Sequence, residues 1–199
     1  MKSYRKLPIL RDIWEHPENY EPTPCEKVVI QKLESFIQQV QAYNGKIICG
    51  DHGVGKTFTV RYFLSKIKCL DDKHYIHVNR TVLEEIGRRK ISIKQKGELL
   101  RVIKSLLKNV EPVLVLDACE VLSLLEPSQR MEFIRDVRYR KTKTILVLPT
   151  ELDPRIPSIT IKFPNLTHED YKIFFRNLKI KMEVPSFPTS FTELIRRVI

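Results

Sequence analysis

The chain has 199 residues, 42% of them hydrophobic, and a formal net charge of +11 with a pI near 9.5. That length suits one sizeable domain with a small appendage, and that apolar share can bury a real core. No apolar run approaches the length of a membrane span, and the excess of cations favours contact with nucleic acid or another polyanion.

The opening stretch, MKSYRKLPILRDIWEHPENY, lacks the apolar centre of a secretory signal and carries acids, so residues 1–21 read as an N-terminal extension. The four cysteines (Cys25, Cys49, Cys69 and Cys119) show no C-x-x-C spacing, and Cys49 and Cys119 sit in strand-like apolar context. Buried thiols are expected, in a reducing cytoplasm or in a nucleus, in preference to metal ligands or disulfides.

The first apolar run before a turn is KIIC, Lys46 to Cys49, which suits a buried strand. It runs into GDHGVGKT, Gly50 to Thr57, a complete G-x-x-x-x-G-K-[ST] phosphate-binding loop, and a helix-periodic stretch from Phe58 to Ile67 follows. Glycines at 50, 53 and 55 let the backbone turn its N–H groups toward a phosphate chain, and the new helix adds its positive end. Lys56 supplies a mobile charge for the β- and γ-phosphates, and the Thr57 hydroxyl is a ligand for Mg²⁺. The expected nucleotide-contacting set is Gly50, Asp51, His52, Gly53, Val54, Gly55, Lys56, Thr57 and Phe58, with a nucleoside triphosphate as ligand.

KHYIHVN, Lys73 to Asn79, alternates as a strand does, and a basic, mostly helical stretch interrupted near Gly97 runs from Thr81 to Asn109. PVLVLDACE, Pro112 to Glu120, is a continuous apolar run ending in an acid, the pattern of a strand covered on both faces. Pro127 and Ser128 open a helix through Arg138. TKTILVLPT, Thr142 to Thr150, and SITIKF, Ser158 to Phe163, read as the fourth and fifth strands. Beyond Pro164 only helices are expected, one capped by Thr167 and a last one from Ser190 to Ile199 after the break at Pro185 and Pro188. The sum is an α/β fold: a three-layer α-β-α P-loop NTPase with a five-stranded parallel sheet and a small C-terminal helical lid, with ligand at the carboxyl ends of the strands. The expected division is 1–163 for the nucleotide-binding domain and 164–199 for a partial lid. Asp117, closing an apolar strand downstream of the P-loop, is placed to hold the Mg²⁺ water shell.

On several of these segments the chain resembles the AAA+ ATPases, and within them the origin-recognition and replication-initiator clade. EPTPCEKVVIQKLESFI looks like the P-x-x-x-E helix through which such proteins enter the ATPase domain. HYIHVN looks like their second strand with its terminal asparagine. VLVLDACEVLSLL resembles their hydrophobic–DE-x-D–hydrophobic segment, and ELDPRIPSITIKFPNLTHEDYKIFF resembles their L-x-P-R-x-x-S, strand and F-P-x-[LY]-[ST] entry into the lid. The resemblance implies ATP with Mg²⁺ as cofactors, Lys56 and Thr57 on phosphate and metal, and Asp117 as the second metal partner. It implies Thr150 as the polar sensor that orients attacking water; an ordinary strand-ending turn residue is the other reading. It implies Arg155 as the arginine presented to a neighbouring subunit's nucleotide, against a plain surface arginine, and Arg196 or Arg197 as a nucleotide-sensing arginine of the lid.

Two departures stand out. The residue after the metal-binding acid is Ala118, where the family carries a water-polarising glutamate; Glu120 lies two residues on and is the candidate substitute base. No winged-helix domain follows the lid before Ile199. DNA contact is therefore expected from the ATPase body or from a partner; in the body, Arg88, Arg89, Lys90, Lys94 and Lys96 would neutralise backbone phosphates, unless that run is only a solvated helical face. Arg135, Arg138, Arg140, Lys141 and Lys143 form a second basic cluster, suited to DNA or to a subunit interface. The expected function is an ATP-binding ATPase of initiator or loader type acting on DNA through ATP-dependent assembly with itself or other AAA+ subunits. The alternative is a regulatory or near-inactive nucleotide-binding subunit that recruits protein partners without a DNA role.

Overall fold

The computed structural model describes residues 8–40, 42–71, 74–77, 101, 104, 113–117, 121–181, 183 and 189–198. Two helices precede the sheet: α1, Pro8–Glu15, and α2, Pro24–Gln38. Helix α2 starts where its sequence says it should. Thr23 and Glu26 form a reciprocal capping box, and Pro24 occupies the first turn, where its missing N–H is no loss. Strand β1 (Gly45–Gly50) leads through the P-loop into α3 (Lys56–Lys66), and then come β2 (Tyr75–His77) and β3 (Val113–Asp117). Helix α4 (Pro127–Arg138), β4 (Lys143–Pro149), β5 (Thr160–Lys162), α5 (His168–Asn177) and α6 (Phe191–Val198) complete the described elements.

The described strands form one sheet in the order β2-β3-β4-β1-β5, and every pairing is parallel. Strand β4 thus lies between β1 and β3, so the P-loop and Asp117 leave the sheet at the same end, two strands apart. The alternation of side chains divides the core into two faces. Ile48, Val115, Ile145, Val147 and Ile161 belong to a cluster built with Leu33 and Phe36 of α2, Val60 and Phe63 of α3, Phe174 of α5 and Phe191 of α6. Ile47, Leu116, Leu146 and Leu148 are equally buried on the other face, where α4 lies against β1 and β4. Both faces are covered, which is why the strands read as continuous apolar runs and not as alternating ones.

Helix α3 begins two residues earlier than its periodicity suggests, because Gly55 caps it and Lys56 is its first helical residue. Strand β5 is narrower than Ser158–Phe163, yet Ile47 N–H donates to Ile159 O at 2.8 Å and Phe163 N–H to Cys49 O at 2.7 Å, so pairing continues past both ends. Cys25 and Cys49 are buried free thiols and Cys69 is a half-buried one; Cys119 lies outside the described residues. Among the described residues no helix is long and apolar enough to cross a membrane.

Candidate nucleotide site

The P-loop curls because two of its glycines take backbone conformations that other residues resist. Gly53 has φ +78° and Gly55 φ +103°. A Cβ at Gly53 would also lie 2.8 Å from the hydroxyls of Ser190 and Thr192, since the start of α6 rests on the loop. Thr192 N–H donates to Gly53 O at 3.4 Å. The Lys56 side chain folds back across the loop and is only 6% exposed, its ammonium donating to Gly50 O at 2.6 Å and Asp51 O at 2.5 Å. The cation is therefore held over the mouth of the ring of amides that the loop forms.

Thr57, on the first turn of α3, donates its hydroxyl to Asp117 Oδ2 at 2.5 Å. The same carboxylate oxygen accepts the Tyr75 hydroxyl at 3.3 Å, and Asp117 is 2% exposed. The pair brought together here, a hydroxyl and a carboxylate from two elements at the same end of the sheet, is an all-oxygen donor set that fits Mg²⁺. Among the described residues no cluster of three or more histidine, cysteine or acidic groups forms a metal cage.

Thr150 does not end β4; the strand stops at Pro149, and Thr150 opens a short turn through Leu152. Its exposed hydroxyl donates to Asp51 Oδ1 at 2.6 Å, so it is tied to the P-loop. Arg155 is exposed and has φ +54°, an unusual conformation for a residue with a Cβ; its N–H donates to Asp153 Oδ1 at 2.9 Å. It is not gathered with Lys56 and Asp117. Ala118, Glu120, Arg88, Arg89, Lys90, Lys94 and Lys96 lie outside the described residues, as do the side chains of Arg196 and Arg197. His52 faces Glu151 at 4.0 Å with both side chains exposed. A cavity of about 460 Å³ opens beside the loop, lined in part by Asp51, His52, Val54, Thr150, Phe163 and Tyr171.

One buried residue beneath the loop is absent from the sequence-based set. Glu26, 1% exposed, lies beneath the start of α3: its Oε1 sits 3.1 Å from where a Gly55 Cβ would be and accepts the Thr59 hydroxyl at 3.4 Å. Its Oε2 accepts Thr23 N–H at 2.8 Å and the Tyr20 hydroxyl at 3.0 Å. The T-x-x-E capping box of α2 is the sequence signal for its cap role, but nothing local shows that its carboxyl also supports the P-loop. A second buried carboxylate, Asp170, caps α5 through Thr167 and accepts Cys25 N–H at 2.8 Å and the Cys25 thiol at 3.0 Å. It joins the starts of α2 and α5. Burial pushes the Cys25 thiol up to about 12, so it stays protonated and remains a donor.

Burial raises the Glu26 carboxyl from 4.5 to about 7, and the hydrogen bonds from Thr23, Tyr20 and Thr59 offset only part of it. A carboxyl raised on folding binds more protons in the native state than in the unfolded one. Its contribution is thus fully present below about pH 4.5 and is lost as pH rises through about 7. Unfolding free energy measured in urea is expected to fall between pH 5 and pH 8 by on the order of 3 kcal/mol from this group. Glu26→Gln should flatten that segment of the curve; an unchanged slope in the variant would assign the pH dependence elsewhere.

No protein-family profile matches the chain, and no curated protein matches it at a significant level. Among solved structures it is similar to domain III of the replication initiation protein DnaA from Thermotoga maritima, with a TM-score of 0.56 at 15% identity over 91% of this chain and 84% of that one. It is also similar to AMPPCP-bound DnaA from Aquifex aeolicus, with a TM-score of 0.53 at 18% identity over 90% of this chain and 62% of that longer one. The chain shares the fold of these two structures. At these identities the likeness is one of fold.

Proposed function

We propose that this chain binds ATP with Mg²⁺ in the P-loop and works as an AAA+ ATPase of replication-initiator or loader type, acting on DNA through ATP-dependent assembly. The observation that carries the reading is the Thr57–Asp117 pair at 2.5 Å, beside a loop whose lysine is already turned over its mouth. Loop amides and Lys56 would hold the β- and γ-phosphates, with Thr57 and Asp117 on the metal. The likeness to a DnaA bound to AMPPCP, a methylene-bridged ATP analogue, supports ATP as the nucleotide. Magnesium would supply charge neutralisation of the phosphates when bound. Thr150, held on Asp51, would orient a water, and Arg155, on an exposed turn, would reach a neighbouring subunit. Residues 164–199 would act as the lid, and Arg88, Arg89, Lys90, Lys94 and Lys96 as contacts to the DNA backbone. Such work on DNA belongs in a cytoplasm, or in a nucleus.

Ala118 favours a second reading, in which ATP is bound but turned over slowly or not at all and the chain serves as a regulatory subunit. One experiment separates the two: duplex-DNA affinity across a salt series with ATP and Mg²⁺, read with the mass of the assembly and the rate of phosphate release. The initiator reading predicts ATP-dependent assemblies that bind duplex with steep salt dependence. A monomer with no duplex affinity at low salt would leave the regulatory reading.

A further inference from the structure

Behind the Thr57–Asp117 pair, a chain of contacts runs outward to the N-terminal helix. Thr57 and Arg61 stand four residues apart on α3, so their side chains share one stripe of that helix. Tyr75 pairs with Val115 on the neighbouring strand, two residues before Asp117, and packs on the α3 side of the sheet. Its hydroxyl donates to Asp117 Oδ2 at 3.3 Å, the oxygen that Thr57 also reaches. The Arg61 guanidinium lies 5.4 Å from the Tyr75 ring centroid and 4.2 Å from that of Trp14. Its Nη2 donates to Trp14 O at 2.8 Å. Trp14 belongs to α1, whose Ile13 is buried and whose Ile9 and Leu10 pack on the core.

Arg61 is half-buried and joins no ion pair among the described residues. Its Nε is buried and has no hydrogen-bond partner among them. Burial lowers its pKa, and its interaction and hydrogen bond with Tyr75 oppose that. Taking a cation out of water without a carboxylate beside it costs stability. Two flat rings and one carbonyl hold the group, but they do not require a cation there. Hydrogen-bond direction does. An arginine can only donate, so the Tyr75 oxygen accepts from it and the phenol proton is left for Asp117. We propose that Tyr75, Arg61 and Trp14 are positioning residues for the metal carboxylate: Trp14 seats Arg61, Arg61 orients the Tyr75 hydroxyl, and that hydroxyl fixes Asp117 Oδ2 when Thr57 turns to Mg²⁺. Partners behind a metal ligand set its orientation, and losing one costs roughly 10–100-fold in metal affinity. The inference rests on the proposed ATP–Mg²⁺ site and makes the N-terminal helix part of it.

The test uses the full 199-residue chain loaded with ATP. Mn²⁺ is titrated in and the free ion counted by electron paramagnetic resonance. Tyr75→Phe, which removes only the hydroxyl, should weaken Mn²⁺ binding about tenfold and leave ATP affinity in EDTA unchanged. Arg61→Met, which keeps the apolar stem and drops the donors, should weaken it about threefold, and the double variant should bind no more weakly than Tyr75→Phe. Trp14 is the chain's single tryptophan, so its emission reports on one place. That emission should change when Mg²⁺ is added to the ATP-bound parent, and Tyr75→Phe should silence the change. Circular dichroism of each variant keeps loss of fold apart from loss of contact, and Tyr75→Phe carries the test should Arg61→Met fail to fold. A parent that takes up no Mn²⁺ with ATP would overturn the ATPase reading and this inference together. A parent that takes it up, with equal affinity in Tyr75→Phe, would overturn this inference alone. So would losses in Arg61→Met and Tyr75→Phe that add in full, since Arg61 would then act by another route.

Discussion

Lys56→Ala is expected to abolish ATP binding, a loss of on the order of 100-fold or more in affinity, while the domain stays folded. The ammonium lies at the loop mouth, 2.6 Å from Gly50 O and 2.5 Å from Asp51 O. Charge-assisted bonds to phosphate are roughly twice as strong as neutral ones, and a lysine reaching two phosphates makes more than one of them. Removing it frees two carbonyls, but both sit at a mouth that water can reach, and the hydrophobic contacts of α3 come from Val60, Phe63 and Leu64 instead. The melting temperature should move little. Calorimetric titration with ATP and Mg²⁺ checks the binding, and Lys56→Arg, which keeps the charge and changes its shape, should recover only part of the loss. Unchanged affinity in Lys56→Ala would mean that the loop does not hold the polyphosphate.

Asp117→Asn is expected to separate nucleotide from metal. Asparagine keeps the side-chain shape and one oxygen able to accept the Thr57 and Tyr75 hydroxyls, so the local packing survives. What is lost is a full negative charge at a site only 2% exposed, where an ion is least screened. ATP affinity measured in EDTA should therefore be close to that of the parent chain. The gain in affinity on adding Mg²⁺ should shrink by roughly tenfold or more, about 1.4 kcal/mol. If the parent and Asp117→Asn gain equally from Mg²⁺, the carboxylate is not a metal partner and its short bond to Thr57 is purely structural.

The parts of this architecture written locally in the chain were the parts legible in it. KIICGDHGVGKT names a strand, a loop and a helix start within twelve residues, and VLVLD announces a strand covered on both sides, because burial on both faces demands an unbroken apolar run. Thr167 was readable as a cap because its hydroxyl and Asp170 lie three residues apart. The support beneath the loop was not readable. Glu26 looks like an ordinary capping residue, and its contacts to Thr59 and to the space beside Gly55 depend on how α2 crosses α3. The union of Cys25 with Asp170, 145 positions apart, is tertiary in the same sense. Helix α1 was missed because it holds only eight residues and mixes its apolar positions with Arg11, Asp12 and Glu15. Thr150 lies one residue past the end of β4, and its bond to Asp51 follows from β4 and β1 being neighbours, a fact of sheet order.

The most direct measurement is a two-dimensional amide NMR titration of the chain with ATP, followed by substitution of Mn²⁺ for Mg²⁺. Amide signals from Gly50 to Thr57 should move on adding nucleotide, and those of Thr57 and Asp117 should broaden most when the paramagnetic ion enters. Shifts and broadening confined to other residues, with this stretch and Asp117 undisturbed, would contradict the site.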